Sequence, residues 1–355
     1  MSAFSLSRYS RWIPRLKTLQ LQSKQLSSSS FFSTTADNES PRKPSPPPIR
    51  IGLTESAGRG VFATRRITAG ELIHTAKPIL SHPSLSSINN VCYFCLRKLK
   101  GSTSTDSRAR NVSFCSEECM KNSKRFYDVE TSVDWFNFDE YCRIQNFKYP
   151  HLVKRLACMV VSGAASADSL DILQPASLSP EMILQVEEGF DLLQSAFTRA
   201  NIADEHLAFL TRQWYTGVLA RIRINAFRVE LAGGLYEDLL LLAAASVEAE
   251  AAVGNAIYML PSFYNHDCDL SIFPVLQVSW FLELIQPTIA RLTMEAFVFQ
   301  KFLYINELTN LLDNFTEEEL RICYIDASMA HDARQTLLSQ GFGFQCSCLR
   351  CLSGD

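Results

Sequence analysis

The chain has 355 residues, of which 47% are apolar, and it carries a formal charge of −3 at pH 7. This composition predicts a globular protein that buries one large core or two smaller ones. The charge gives no basic surplus for nucleic-acid binding, and the uncharged apolar runs at 251–265 and 270–282 are too short to cross a bilayer. We therefore expect no direct nucleic-acid partner and no membrane span.

The N-terminal segment differs from the rest of the chain. Residues 1–37 are rich in Ser, Leu and Phe, contain several Arg and Lys side chains, and have no acid before Asp37. This composition is typical of an organelle transit peptide, and a disordered tail is the alternative. Residues 38–50 end in SPRKPSPPPIR and predict an extended, semi-rigid linker, so we expect the folded part to begin at 51.

The first cysteine group indicates a metal-binding module at 91–119. Cys92 and Cys95 form one short pair, Cys115 and Cys119 form another, and nineteen residues separate the pairs. This arrangement is close to the ligand spacing of a structural zinc finger. The loop between the pairs is polar, so a metal rather than an apolar core would hold the module together. Four buried structural thiols are the alternative.

A helical region is predicted between the finger and the last third of the chain, at 120–250. Pro180 after Ser179 is typical of a helix start, and apolar residues at helical spacing predict a helix over 180–200. The segment 206–225 continues the same pattern. We expect most of this region to be scaffold.

A second cysteine group lies at the C-terminal end of the sequence. Cys346, Cys348 and Cys351 offer three thiolates, whereas a closed structural zinc site uses four. The candidates for the fourth ligand are Cys142, Cys158, Cys268 and Cys323. Among them Cys268 lies in a polar loop with a histidine, FYNHDCD at 263–269, but spacing alone does not select it.

Four motifs occur in a recognisable order: GRGVFA at 58–63, NHDC at 265–268, EELRICY at 318–324 and FQCSCLRC at 344–351. Together they resemble the signature of SET-domain lysine methyltransferases that carry a MYND-type zinc finger, and the plant trithorax-related SET proteins are the most similar subgroup. The resemblance covers 51–351. It implies an α+β, β-rich SET fold with a threaded, pseudoknotted C-terminal segment.

The resemblance also implies a domain organisation. The SET fold would be divided into 51–90 and 251–345, with the finger at 91–119 and the helical insertion at 120–250 between its two parts. The post-SET cysteine cluster would occupy 346–355.

The resemblance assigns roles to individual residues. Tyr324 matches the catalytic tyrosine, and Cys268 would join Cys346, Cys348 and Cys351 on one zinc ion. The residues implied at the S-adenosylmethionine site are Gly58, Arg59, Gly60, Asn225, Asn265, His266, Tyr324 and Phe344. An aromatic face such as that of Phe344 can stabilise a cation. Read alone, GRG fits a plain hairpin turn equally well, and His266 as a zinc ligand is the rejected alternative.

These assignments predict an S-adenosylmethionine-dependent protein-lysine methyltransferase, expected to be monomeric. Its substrate would be a histone tail or an organellar protein. The transit-peptide composition favours a mitochondrion or plastid, and the nucleus is the alternative. A catalytically inactive adaptor, stapled by zinc and recruiting partners through its finger, is the rival function, and a thiol oxidoreductase is a remote third.

One segment departs from the family pattern. Residues 270–316 are longer than the family's connection and lack the period-two alternation of half-exposed strands. We interpret the segment as a translated intron or alternative exon, with a genuine lid as the rival. Because an apolar, aromatic-rich segment would replace strands beside the cofactor, we expect impaired activity in this isoform.

Overall fold

The computed structural model describes residues 46–67, 72–99, 104–105, 112–230, 252–268, 274–277, 295–298, 318–326 and 328–354. The chain divides into two compact units, Met1–Pro47 and Pro48–Asp355, and every element below belongs to the second. The predicted transit peptide and most of the segment 270–316 lie outside the described residues. The second unit mixes helices and sheets.

A four-stranded sheet has the spatial order β1-β2-β12-β9. Its strands are β1 (Ile49–Leu53), β2 (Arg59–Ala63), β9 (Asn265–His266) and β12 (Glu319–Ile322). Strand β12 pairs antiparallel with β2 and parallel with β9, so it lies between the N-terminal part of the chain and the 263–269 loop. Three of the four sequence motifs therefore meet in one small sheet.

A six-stranded sheet has the order β3-β11-β10-β7-β8-β4. These strands are β3 (Leu72–Thr75), β4 (Leu80–Pro83), β7 (Ala226–Glu230), β8 (Ala252–Ile257), β10 (Pro274–Gln277) and β11 (Glu295–Val298). The last two fall inside 270–316, where the missing alternation argued against strands. Strand β11 pairs with β3, and β10 with β7, so long-range pairing replaces the absent local pattern.

Most of the helices follow the predicted finger at 91–119. They are α1 (Glu117–Ser132), α2 (Phe136–Ile144), α3 (Pro150–Val161), α4 (Pro180–Arg199), α5 (Asp204–Leu207), α6 (Arg212–Asn225), α7 (His331–Leu337) and α8 (Leu349–Leu352). The start of α4 agrees with the sequence, because Pro180 is its first residue and the Ser179 hydroxyl accepts from the Met182 N–H.

The segment 206–225, over which the helical pattern continues, is divided between two helices. The chain leaves helical geometry after α5, and α6 starts afresh at Arg212. The Thr211 hydroxyl accepts from the Trp214 N–H at 3.1 Å, which caps the new helix. Apolar spacing continues across this break, so it could not reveal the cap.

A buried charged network joins the finger to the helices. Arg155 of α3 is 1% exposed and lies 3.2 Å from Glu130 of α1. Its guanidinium lies 4.2 Å from the ring centres of Tyr93 and Phe126, and the Tyr93 hydroxyl donates to Glu130 at 3.0 Å. Arg155 also donates to the Ser81 carbonyl of β4. One side chain of α3 thus contacts Tyr93 between the first cysteine pair, helix α1 and the larger sheet.

Candidate functional site

The C-terminal cysteine cluster brings together residues from distant parts of the sequence. The Sγ atoms of Cys268, Cys346, Cys348 and Cys351 all lie within 4.8 Å of one another. Cys268 Sγ is 3.6 Å from Cys351 Sγ and 3.9 Å from Cys346 Sγ. Of the four cysteines that sequence left open as the fourth ligand, Cys268 is therefore the one that completes the cluster.

Helix α7 holds this cluster in place. The Gln335 side-chain amide donates to the Cys346 carbonyl at 2.7 Å and accepts from the Cys346 N–H at 2.9 Å. Arg334 is fully buried, and its guanidinium donates to the Met329 carbonyl at 2.6 Å and to Cys351 Sγ at 3.9 Å. Burial alone would raise the pKa of the Cys351 thiol, yet the hydrogen bonds from Arg334 and the neighbouring thiols lower it.

The finger cluster has the same composition. The Sγ atoms of Cys92, Cys95, Cys115 and Cys119 also lie within 4.8 Å of one another. The Cys115 sulfur is 3.6 Å from that of Cys95 and 3.5 Å from that of Cys119. Ser116 caps α1 by accepting from the Cys119 N–H, which fixes the last cysteine in the first helical turn.

Both clusters fit a tetrahedral zinc ion. Four thiolates at about 2.3 Å from zinc are about 3.8 Å from one another, close to the sulfur separations here. A disulfide would require about 2.05 Å, and all eleven cysteines are free. Each cluster could therefore hold one zinc ion, which is the number that the sequence predicts.

His266 lies between the C-terminal cluster and Tyr324. Its Nε2 is 3.1 Å from Cys268 Sγ, and its Nδ1 accepts from the Tyr324 N–H at 3.0 Å. Burial lowers the pKa of His266 to about 4, so the neutral ring donates from Nε2 to the sulfur. Both ring nitrogens thus have partners, and the imidazole orients a cysteine while it positions the tyrosine backbone.

Tyr324 is surrounded by aromatic rings. Its ring centre lies 5.0 Å from that of Phe342, 5.2 Å from that of His266 and 6.4 Å from that of Phe344. The hydroxyl donates to the Tyr264 carbonyl at 2.6 Å, and burial raises the pKa of Tyr324 above its usual value. The site therefore places a protonated phenol among aromatic faces.

The Asn265 amide on β9 contacts both central strands of the small sheet, β2 and β12. Its Nδ2 donates to the Arg59 carbonyl at 3.0 Å and to Glu319 Oε1 at 2.6 Å. The Arg59 side chain points elsewhere, donating to the Ile172 carbonyl and lying 4.9 Å from the Phe263 ring centre. The backbone of Arg59, rather than its charge, therefore borders Asn265.

Glycine is required at the two GRG positions for different structural reasons. Gly58 has a φ of +78°, a conformation that favours glycine in the turn before β2. A Cβ on Gly60 would lie 2.6 Å from Glu319 Oε1 and 3.2 Å from Asn265 Nδ2. The backbone at Gly60 therefore approaches this polar group as closely as a bare chain allows.

Asn225, the last residue of α6, makes its contacts in the helical region. Its Nδ2 donates to the carbonyls of Arg221 and Gln174, at 2.7 and 2.9 Å. These bonds link the end of α6 to the preceding connection. The contacts of Asn225 thus differ from those of the other implied cofactor residues, most of which lie around Asn265 and Tyr324.

Sequence reasoning missed three residues of the site. Glu319 contacts Asn265, Tyr264 accepts from Tyr324 and contacts His74, and Arg334 contacts Cys351. Glu319 and Tyr264 lie inside the quoted motifs, so their position was a usable signal. No sequence signal indicated Arg334, because an arginine in a polar helical segment is expected to have a solvated side chain.

Comparison with known proteins identifies the family. ATXR4, a histone-lysine N-methyltransferase of Arabidopsis thaliana, is 56% identical over 358 residues that span all of both chains. A SET and MYND domain-containing protein of Dictyostelium discoideum is 21% identical over 298 residues, 79% of this chain and 77% of that protein. The histone-lysine N-methyltransferase ASHR2 of Arabidopsis thaliana is 21% identical over 325 residues, 85% of this chain and 71% of that protein.

No protein-family model matches the chain. Among the described residues, no helix is long and apolar enough to span a membrane. The identity to ATXR4 covers the full chain, and the ordered motifs and both four-cysteine clusters agree with it. The chain therefore belongs to the SET-domain protein-lysine methyltransferases.

Proposed function

We propose that this chain methylates the ε-amine of a lysine in a protein substrate, with S-adenosylmethionine as the methyl donor. The observation that carries the proposal is the setting of Tyr324. Its phenol lies among His266, Phe342 and Phe344, and its backbone is hydrogen-bonded to His266, the neighbour of Asn265. The backbone of the proposed catalytic residue is thus held by the residue next to the proposed cofactor-binding amide.

When bound, S-adenosylmethionine supplies a methyl group on a positively charged sulfur. Its transfer requires a neutral amine, alignment and little water, and orientation alone can lower such a barrier by roughly 7 to 11 kcal/mol. The Tyr324 oxygen can accept a hydrogen bond from the amine and so direct its lone pair. The faces of Phe342 and Phe344 can stabilise a cationic methylated product and exclude water.

The residues proposed to hold the cofactor are those grouped around Asn265. Because Gly60 has no side chain, its backbone lies close to Glu319 Oε1 and Asn265 Nδ2, and the Asn265 amide offers a polar contact. The backbone beside His266 completes the group. Arg59 would contribute through its backbone, and Asn225 would act by holding the end of α6, since both its bonds go to carbonyls there.

Each cysteine cluster is proposed to bind one structural zinc ion. The sulfur separations support this assignment, and the C-terminal ion would attach 346–355 to the NHDC loop. The pseudoknotted threading of the C-terminal segment and the division into finger, helical insertion and two SET parts belong to the same proposal. Helix α7 and the strand order around β12 support it.

Two combinations of substrate and compartment are proposed. The names of the Arabidopsis relatives favour a histone lysine and therefore the nucleus. The composition of 1–37 favours import into a mitochondrion or plastid, where the target would be an organellar protein. Imaging residues 1–50 fused to a fluorescent protein decides between the two, because a diffuse or nuclear signal contradicts import.

The segment 270–316 keeps its interpretation as a translated intron or alternative exon, with a genuine lid as the rival. The strands at Pro274–Gln277 and Glu295–Val298 support the lid, because they extend the larger sheet. Sequencing the transcript across codons 268–317 distinguishes the two. If the main transcript lacks the segment, this isoform carries a translated intron or alternative exon. Only in that case do we expect the activity of this isoform to be impaired.

The function is tested by substituting Tyr324 with Phe. Transfer of a labelled methyl group to histones or an organelle extract should fall roughly 10²-fold, because an oriented hydrogen bond at the amine is lost. The dissociation constant for S-adenosylmethionine should stay nearly unchanged. The matched control is Tyr141→Phe, which removes a hydroxyl that also donates to a backbone carbonyl, that of Gln185, but in the helical region.

Equal activity of Tyr324→Phe and the unsubstituted chain would contradict the catalytic assignment. Failure of the unsubstituted chain to bind S-adenosylmethionine or to methylate any protein would favour the adaptor. In that case Cys92→Ser, which removes a finger ligand, should abolish the capture of partners.

A further inference from the structure

The Asn265 side chain is held in one orientation by two acceptors. Its Nδ2 donates to the Arg59 carbonyl and to Glu319 Oε1, at 3.0 and 2.6 Å. Rotating the amide by 180° would place its oxygen against these two acceptors and break both bonds. The amide is therefore fixed with both of its N–H groups used.

The Asn265 oxygen is the remaining polar atom of this side chain. Among the described residues it has no hydrogen-bond donor, and the side chain is only half-buried. A carbonyl oxygen accepts but cannot donate, so the group that it takes must be a hydrogen-bond donor. A positively charged donor such as an ammonium group forms the stronger bond.

Glu319 is itself held by neighbouring charge. Its Oε2 accepts from Arg321 Nε at 2.9 Å and from Nη2 at 2.7 Å, and Arg321 Nη1 lies 3.4 Å from Asp267. Residues 319 and 321 share one face of β12, because side chains alternate along a strand. The pairing of β12 with β9 sets Arg321 opposite Asn265 and brings this face to the amide.

Glu319 is too close to Gly60 and Asn265 to serve only as surface charge. Its side chain is 12% exposed, and its Oε1 would lie 2.6 Å from a Cβ on Gly60. One carboxylate oxygen thus faces Arg321 while the other faces the amide. This division lets Glu319 orient Asn265 without leaving a buried charge unpaired.

We propose that Glu319 is a positioning residue that locks the Asn265 oxygen toward the ligand, so that this oxygen selects the ammonium group of the methyl donor's amino-acid part. The inference rests on the proposed function, since it concerns the same cofactor site.

The test compares two ligands that differ in the amino-acid part. S-Adenosylhomocysteine carries the ammonium group, whereas 5′-methylthioadenosine lacks the amino-acid part. In Glu319→Gln the new amide cannot satisfy both Arg321 and Asn265, so affinity for S-adenosylhomocysteine should fall about 10-fold by calorimetry. Affinity for 5′-methylthioadenosine should change less than about 2-fold.

The adjacent residue provides a matched control. Glu318 is exposed, and its carbonyl accepts from the Ala63 N–H, so Glu318→Gln removes the same charge without contact to Asn265. It should bind both ligands as the unsubstituted chain does. In an Asn265→Ala background, adding Glu319→Gln should cause no further loss, because Glu319 acts through Asn265.

The possible results distinguish failure of this inference from failure of the proposed function. Unchanged binding of S-adenosylhomocysteine by Glu319→Gln overturns the inference, and so does an equal loss for 5′-methylthioadenosine, which would indicate a general structural role. If Glu319→Gln lowers the melting temperature too far for calorimetry, Glu319→Asp gives the same comparison with a shorter carboxylate. An unsubstituted, zinc-loaded chain that binds neither ligand overturns the proposed function instead.

Discussion

Both cysteine clusters consist of four cysteines, but their surroundings differ. In the finger, Cys95 and Cys115 are 20 positions apart, and the cluster lies next to the aromatic and charged network of Arg155. In the C-terminal cluster, Cys268 and Cys351 are 83 positions apart, and His266 joins the cluster to Tyr324. The finger is a local module with a second anchor, whereas the C-terminal cluster is part of the proposed active site.

This difference indicates what each metal would do. Closing a longer loop costs more entropy, by about 0.6 kcal/mol for each doubling in length. In the C-terminal segment, Leu349 and Leu352 of α8 are 80% and 72% exposed, and three of the four residues in the buried apolar cluster there are the cysteines themselves. A bound metal would therefore determine whether the segment 346–355 is ordered. In the finger, a bound metal would add stability to a module that also has the Arg155 network.

The largest expected effect is a difference in methyl transfer between two variants, each of which loses one cysteine from one cluster. Cys268→Ser should reduce bound zinc from two ions to one and lower methyl transfer by at least about 10²-fold, because His266 and Tyr324 lose their support. Cys115→Ser should lose the same amount of zinc but retain most of the binding of S-adenosylmethionine. Elemental analysis and calorimetry of the two variants give the comparison.

The outcome that contradicts this comparison is equal behaviour of the two variants. If Cys115→Ser also abolishes cofactor binding, the finger is not local. If purified unsubstituted chain contains no zinc, neither cluster is a metal site.

A second effect concerns the anchor of the finger. Arg155→Met keeps much of the side-chain volume but leaves Glu130 buried without its ion-pair partner, which should destabilise the fold by about 3 to 5 kcal/mol. Urea unfolding monitored by tryptophan fluorescence measures the change. The double variant Arg155→Met with Glu130→Leu should recover part of the loss, because no buried charge then remains unpaired.

The control for this second effect is an exposed ion pair. Arg143 and Glu140 form a 2.6 Å pair on the surface of α2, and Arg143→Met should cost less than about 1 kcal/mol. A similar cost for both substitutions would mean that the buried network does not anchor the finger.

The smallest effect concerns pH. His82 and His151 stack in the core beside this network, and burial, the largest cause, holds the pKa of each well below its usual value, with Lys154 and Arg155 adding to it. Because each ring stays neutral in the folded state, the unfolded state binds more protons once the pH falls below about 6.5. Stability should therefore fall as the medium is acidified from that value.

Replacing one ring measures this contribution. Each histidine accounts for at most about 1.4 kcal/mol per pH unit, so His151→Phe should flatten the decline of the melting temperature between pH 7 and pH 5. Phe suits the position because His151 already packs against the Phe138 ring. The exposed His206→Gln should leave the decline unchanged, and an unaltered slope in His151→Phe would refute the assignment.

The sequence predicted the parts of the molecule that are encoded locally. The finger ligands follow from two short cysteine pairs, and the start of α4 follows from Ser179 and Pro180. The family resemblance added Cys268 as the fourth ligand of the second cluster, which spacing had left open among four cysteines. The cluster geometry agrees with that choice.

The remaining features depend on pairing between distant residues. Glu319 meets Asn265 across 54 positions because β12 pairs with β9, and no local periodicity specifies that register. The strand Glu295–Val298 forms against Leu72–Thr75 although its own segment lacks alternation. Arg334 is buried because the tail folds over it, which composition cannot show.

In the proposed function, the hydroxyl of Tyr324 limits where the proton of the substrate lysine can go. The proton of this phenol is donated to the Tyr264 carbonyl, and its raised pKa keeps it protonated across the physiological range. It therefore cannot act as the base that neutralises a lysine ammonium, whose ordinary pKa is about 10.4. In the proposed mechanism the lysine proton must therefore pass to another acceptor, such as water, so methyl transfer should become faster as the pH rises toward about 10.4.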